Sequence, residues 1–341
     1  MILGNLAYWQ STIIRVVLVL VAVLIPAGTF VYVFLFKMMS FMQSRLGPME
    51  AGPYGSLQLM AEVGKFFQKE DIYPERADRH LFAFAPYLVV GSVLLVYVVI
   101  PFGPDAYFAN LDTGIFYALA VSSISVIGIL IAGWASANKY SLMGGLRAAG
   151  QLIAYELPMV LAVVGVVIQA GSLNLSHIVG AQANGEMFGI GALGNPYILT
   201  QIIGFGLFLL ASQAELSQAP FDMPVAESEL VSGYMTEYSG LRFLLFFIGE
   251  FASAGAFAAL AATLYLGGWW LPGLDLDANY MNVVGPLVVL GKMMFVAFLI
   301  FWFRFTYPRF REDQLQTLAW KYLIPLALLN ISITAVLKVV F

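Results

Sequence analysis

The chain has 341 residues, of which 61% are hydrophobic, 15% aromatic and only 11% charged, with a formal net charge of −4. A soluble domain carries about 25% charged residues, so this composition excludes a soluble enzyme and a disordered chain, and lipid must cover much of the surface. The weak negative charge argues against a nucleic-acid partner, and the absence of cysteine excludes a thiolate-held iron–sulfur cluster, a disulfide or a thiolate zinc site in this chain.

A crossing needs roughly 20 mainly apolar residues at about 1.5 Å rise each. Eight stretches meet or approach that length: 16–36, 81–102, 115–137, 148–171 with Glu156 inside it, the shorter 197–214, 243–266 with Glu250, 278–303 with Lys292, and 322–341 with Lys338. Residues 1–10 are too poor in basic side chains for a cleaved signal peptide. The expected fold is therefore all-α: one integral membrane domain over 1–341, with about eight transmembrane helices. Lys37, Arg45, Lys65, Lys69, Arg76, Arg79, Lys139, Arg147, Arg242, Arg304, Arg309, Arg311 and Lys321 all fall in loops or helix ends on one side. The opposite loops, 103–114, 172–196 and 267–277, have neither Lys nor Arg. The positive-inside rule puts the basic side in the cytoplasm and both termini on the outer, periplasmic side.

Two loops on the basic side are longer than a connection requires. The first, 38–80, contains Leu57, Met60, Ala61, Gly64 and Phe67 at helical spacing among Gln58, Glu62, Lys65, Gln68 and Lys69, the pattern of an amphipathic interfacial helix. The second, 214–242, has Glu215, Asp222, Glu227, Glu229 and Glu237 against a single arginine, Arg242. Phe221, Met223, Leu230, Tyr234 and Tyr238 between these acids predict that the loop folds back onto the bundle and draws carboxylates into low dielectric, where they exchange protons nearer neutral pH.

Ionisable groups inside spans are expensive and face protein or water rather than lipid. Glu156 and Glu250 fit a line of carboxylates running from the basic side into the membrane, and Lys292 is either part of that line or a structural counter-charge. The basic turn 304–311 reads as an anchor of helix ends to headgroups. His80 and His177 fall on opposite sides of the membrane, so they cannot ligate one metal or haem. No metal site is expected.

Several stretches carry a specific resemblance: Gln43-Ser44-Arg45-Leu46-Gly47-Pro48, Lys65 to Glu70, Ala132-Gly133-Trp134-Ala135-Ser136, Asn138-Lys139-Tyr140, and Tyr155-Glu156. So do Pro220-Phe221-Asp222, Ala226-Glu227, Glu229-Leu230-Val231, Glu237-Tyr238-Ser239-Gly240, and Arg304 with Pro308-Arg309, Arg311 and Asp313-Gln314-Leu315. Together they resemble, in order and over nearly the whole chain, the H-subunit family of respiratory complex I. The resemblance implies a membrane subunit of a proton-pumping NADH:quinone oxidoreductase in the bacterial inner membrane. It would have no complete active site of its own. Its partners would be the other subunits, lipid and quinone, with flavin and iron–sulfur clusters held by neighbouring chains. Quinone would be the substrate rather than a bound cofactor.

Carried over residue by residue, the quinone chamber would involve Lys37, Gln43, Arg45, Lys65, Phe66, Phe67, Phe221 and Asp222. Proton coupling would involve Glu156, Glu215, Glu227, Glu229, Glu250 and Lys292. Leu35-Phe36, Met49-Glu50, Ser217-Gln218 and Val225 stand where the family usually has charged or polar pairs. Two other readings are weighed: the membrane anchor of an energy-converting hydrogenase, which binds no quinone, and a stand-alone cation transporter, whose duplicated halves with broken helices are not visible here.

Overall fold

A computed structural model describes residues 8–185, 194–273 and 280–340. The ends (1–7 and 341) and parts of two of the loops that lack Lys and Arg (186–193 and 274–279) lie outside it, including the first residues of the span expected from 278.

The described residues are helical with no strand, as the apolar runs require. Helix α1 (Tyr8–Phe30) continues through a π-helical stretch, Val31–Met38, into a last turn, Met39–Met42. Helix α2 (Gln58–Gln68) is the amphipathic element. Helix α3 (Arg79–Tyr97) begins where the Asp78 carboxylate accepts from the amides of His80 and Leu81, filling two of the bonds a helix start lacks. Helix α4 (Gly114–Ala135) is interrupted at Ser123. Helix α5 (Lys139–Ala170) is capped by Asn138 at its start and closed by left-handed Gly171. A short helix α6 (Leu175–Ala183) follows. Then come α7 (Ile202–Glu215), α8 (Gly240–Tyr265), α9 (Met281–Thr306) and α10 (Glu312–Val340), the last containing a π-helical stretch, Leu318–Leu323.

Seven of these, all but α2, α6 and α7, are long and apolar enough to cross a bilayer. Helix α7 has 14 residues and rises only about 21 Å. It reaches further only through the turn Tyr197–Thr200 before it. Buried Gln201, at the junction, donates to Thr334 Oγ1 at 2.6 Å and accepts from Asn330 Nδ2 at 2.8 Å. This polar knot ties α7 to α10 within the bundle, joining side chains that lipid would have left unpaired.

Helix α8 is the most enclosed span, whereas α1 and α10 leave most of their surface uncovered. Alanines 254, 256, 258, 259, 261 and 262 of α8 are all buried; such small side chains let backbones approach closely. Phe34, Phe301 and Phe251 stack in succession, at ring separations of 5.1 and 5.8 Å, joining α1, α9 and α8.

Because α7 is short, its C-terminal Glu215 ends inside the bundle, and the following loop is drawn in with it. Leu216, Phe221, Met223, Ala226 and Leu230 are buried. Gln151, fully buried in α5, donates to the carbonyls of Ala214 and Phe221 at 2.7 and 2.8 Å. A Cβ on Gly144 of α5 would come within 2.6–2.7 Å of the Gly233–Tyr234 backbone, so only glycine there permits this contact. The acidic loop thus folds back as its apolar residues predict.

Candidate functional site

The described residues bring the sequence-predicted groups together in four places, and leave one apart. At the inner end of α1, Lys37 donates to the Pro48 carbonyl at 2.8 Å and lies 3.3 Å from Met49 Sδ. Met49 therefore fills part of the ammonium's coordination where a polar residue is usual in the resembled family. Nearby, Arg45 donates to Gln43 Oε1 at 2.8 Å, and both are exposed. Half-buried Leu35 and Phe36 pack against the main core.

The amphipathic helix α2 docks one face on the bundle and leaves another open. Phe66 stacks on Phe243 of α8 at 5.7 Å, with Lys65 over its ring at 4.9 Å. Phe67, with Leu57 and Met60, remains exposed. The end of α2 is held by Ser239, which donates to the Glu70 carbonyl, and by Arg242, which pairs with Asp71 at 3.0 Å and stacks 3.8 Å over Tyr73.

The third place is a mixed-charge cluster between the acidic loop, α8 and α9. Arg304 meets Glu250 Oε1 at 3.0 Å, and Gln218 donates to the same oxygen at 2.9 Å. Asp222 senses both Glu250 and exposed Glu227. Burial pushes its carboxyl up to about 6, while Arg309 and Arg304 pull the other way. Phe221 is buried beneath, edge-on to Tyr155 at 5.3 Å. On the rim, Glu229 is bound by Arg147 at 2.6 Å and approached by Arg309 at 3.9 Å. The Arg147 hydrogen bond holds its carboxyl below the ordinary range despite its exposure. The short turn that bears Glu229, Glu227–Leu230, is bracketed by Ala226 at φ 22° and Val231 at φ 66°. A β-branched residue there is strained.

Deeper, Glu156 of α5 accepts from Ser123 at the interruption of α4. Its carboxylate lies within electrostatic reach of Glu215. Glu215 Oε2 is buried without a hydrogen-bond partner among the described residues, at the edge of a small cavity lined also by Ser92, Ser122, Ser125 and Ser253. Lys292 stands apart from all of these. Its ammonium is caged by the carbonyls of Leu266, Gly268 and Trp270 at 2.6, 2.8 and 2.5 Å, just past the end of α8. Helical rise separates Lys292 from Arg304 by roughly 18 Å.

Four contributors have no site role in the sequence reading. Arg304 and Arg309 turn inward to carboxylates rather than only anchoring helix ends; Gln218 orients Glu250, and Ser123 orients Glu156. Arg304 closes an otherwise apolar run, where a headgroup anchor is the default reading, and its partner lies 54 residues away. Ser123 leaves no signal stronger than one hydroxyl in a run of apolar residues.

Fold and site define a multi-pass helical membrane protein whose ionisable groups lead from one end of the bundle into its interior. A family model described as NADH dehydrogenase matches residues 14–335. The H subunit of the NADH-quinone oxidoreductase of Brevibacillus brevis is 44% identical over 330 residues, 96% of this chain and 94% of that protein. The proteins of the same name from Bacillus thuringiensis and Bacillus anthracis are 47% identical over 306 residues, 89% of this chain and 87% of theirs. The chain belongs to the NADH dehydrogenase family.

Proposed function

We propose that the chain works as the H-type membrane subunit of a NADH:quinone oxidoreductase, forming part of the quinone chamber and the first steps of the proton-coupling path. The relatives' shared name, over nearly full length, favours this reading over a hydrogenase anchor or a stand-alone transporter. With no cysteine to bind a cluster, the electron carriers belong to partner subunits, and this chain's own residues shape the chamber and move protons. The positive-inside argument places the chamber end at the cytoplasmic face of the inner membrane, with both termini outside.

The observation that carries the reading is the descent of carboxylates from the Asp222–Glu250–Arg304 cluster to Glu215 and Glu156. Lys37, Gln43, Arg45, Lys65, Phe66 and Phe67 offer one wall, in which cationic side chains suit the polar quinone head and the rings suit its tail. Asp222, on the acidic loop, belongs to the same chamber in this reading, with buried Phe221 packed beneath it on Tyr155. When reduction changes the charge in the chamber, Asp222, whose proton affinity lies near the working pH, is suited to respond first. Glu250 stays paired with Arg304. Glu227 and Glu229 shape the field at the rim, Glu229 by fixing the loop to Arg147. Glu215 and Glu156 then carry the proton on. Lys292 contributes by holding the far end of α8 in place.

Substitution in the assembled complex tests this. Glu215→Gln and Glu156→Gln should depress proton pumping in vesicles while the complex still assembles. Full pumping at normal turnover in both would overturn the relay. A photoreactive quinone should label 43–67 or 217–222; labelling confined to α9 and α10 would overturn the chamber placement.

A further inference from the structure

Helix α2 carries one wall of the proposed chamber, yet little of the fold holds it. It has 11 residues and none of them is buried. An isolated helix of that length is marginal in water, so its position depends on a few attachments. In its first turn Leu59 reaches α1, where a Cβ on Gly28 would come within 3.1 Å of it. At the other end, the carbonyls at and just past the close of α2 run into the start of α8. A Cβ on Gly240 would lie 3.2, 3.6 and 3.7 Å from the carbonyl oxygens of Lys69, Glu70 and Phe66. The positive backbone end of α8 thereby meets the negative end of α2. Ser239 completes the junction by donating to the Glu70 carbonyl and accepting from the Ile72 amide.

Just past this junction two guanidinium groups share one ring. Arg242 lies 3.8 Å over Tyr73, and Arg79 lies 4.8 Å over it. Arg242 is the enclosed one, with 11% of its side chain exposed. Asp71 stands 3.0 Å from Arg242 Nη1, but that nitrogen is buried without a hydrogen bond among the described residues. Stacking, rather than a directed hydrogen bond, therefore holds the group, a role that suits a planar guanidinium better than an ammonium. Behind it, Arg242 also lies 5.7 Å over Phe82, which stacks on Tyr238 at 4.0 Å. The Tyr238 hydroxyl donates to the Phe82 carbonyl at 3.1 Å. Pro86, four residues on in α3, has no N–H to give that carbonyl. The first basic-side loop, α3, α8 and the acidic loop thus meet in one stack.

We propose that Tyr73 and Arg242 are positioning residues for the quinone: their stack fixes the C-terminal end of α2 against α8, and with it Lys65, Phe66 and Phe67. They act through α2 and need not touch the quinone. The other attachment at that end, Phe66 on Phe243, is a single ring pair, on a helix that leaves Leu57, Met60 and Phe67 exposed. Without the stack α2 stays helical but pivots about Leu59. The quinone then meets a wall whose cation and rings no longer keep one spacing. Binding weakens, while the reduction itself, carried out by partner subunits, does not. The inference rests on the chamber reading given above.

Steady-state quinone reduction by the assembled complex tests it, with donor oxidation by a water-soluble artificial acceptor and photoreactive-quinone labelling in parallel. In Tyr73→Leu and in Arg242→Met the quinone KM should rise roughly tenfold, as loss of a desolvated cation–π pair implies. The kcat and the artificial-acceptor rate should stay as they are, and labelling of 58–68 should fall relative to 217–222. Tyr73→Phe keeps the ring and should behave as the wild type; Arg242→Lys keeps the charge without the plane and should fall in between. An unchanged quinone KM in both Tyr73→Leu and Arg242→Met would overturn the inference, even with lowered thermal stability, because the stack would then be structural only. A fall in kcat at constant KM would overturn it too. Should those variants not assemble, a wild-type quinone KM in Arg242→Lys counts against it in the same way. Wild-type labelling confined to α9 and α10 would remove the chamber reading and this inference together. Labelling of 58–68 with KM unmoved by the substitutions would remove this inference alone.

Discussion

Arg304 and Glu250 face one another from α9 and α8 at 3.0 Å, each about one-quarter exposed, with Gln218 of the acidic loop donating to the same carboxylate oxygen. The pair joins α8 to α9, and Gln218 ties it to the acidic loop. The resembled family usually has a basic residue at the position of Gln218. Here an amide holds Glu250, and the cationic work falls to Arg304.

Arg304→Gln should accordingly destabilise the protein within its complex by about 1.5 kcal/mol, the lower end for a charge-assisted bond because solvent reaches the pair. Adding Glu250→Gln should recover part of that loss, since no charge is then left unpaired. Thermal denaturation of the single and double variants checks the sign; strict additivity would mean the two groups act separately.

Asp222 gives a pH signature. Its folded carboxyl titrates near 6, above the ordinary 3.8, chiefly because it is buried. The folded protein therefore keeps a proton that the unfolded chain has lost, so this group's contribution falls as pH rises from about 4 to about 6. Asp222→Asn should flatten the decline in thermal stability across that window. It should also remove any limb of the coupled-activity profile with an apparent pKa near 6.

Glu229 has the opposite sign. Its carboxyl is depressed by Arg147, so its contribution is present at neutral pH and disappears as pH falls through its lowered pKa. The pair is open to solvent, so Glu229→Gln should cost no more than about 1 kcal/mol and the cost should vanish in high salt. Protease nicking of 226–231 should increase in the variant at low salt. Pumping should fall less than in Glu215→Gln; an equal loss would make Glu229 a proton carrier.

For Lys292, replacement by Met would strand three carbonyls now satisfied by its ammonium. We expect a stability loss on the order of 3 kcal/mol, with the quinone KM unchanged in complex that survives. Unchanged stability with lost pumping would instead make Lys292 part of the relay.

Leu35→Glu would insert a carboxylate into a half-buried, apolar setting at the inner end of α1. Unless it pairs, such a group costs several kcal/mol, so activity should fall. A quinone KM that is unchanged across pH would show that this position does not face the substrate.

Most helices are legible in the sequence because long apolar runs leave few alternatives in lipid. Their ends are less so. The apolar run of the fourth span starts at Ala148, yet α5 begins at Lys139, because Asn138 caps the Tyr140 amide and the helix tolerates Lys139 and Arg147 beyond the membrane. The π-helical stretches, Val31–Met38 and Leu318–Leu323, have no glycine or proline to announce them. Acidity identifies the folded-back loop, since alternating acids and rings suit nothing else at an interface. Which carboxylate meets which arginine depends on helix rotation, which a single sequence does not encode locally.

The knot of Gln201 with Asn330 and Thr334 has a consequence for biosynthesis. Gln201 precedes Asn330 by 129 residues, so in order of synthesis α7 is made long before the side chains that pair with its amide. A chain halted before residue 330 would leave that amide without either partner, at a cost of about 1–3 kcal/mol if it stayed buried. Completion of the last helix therefore closes the bundle around α7 as well as ending the chain's contacts with it.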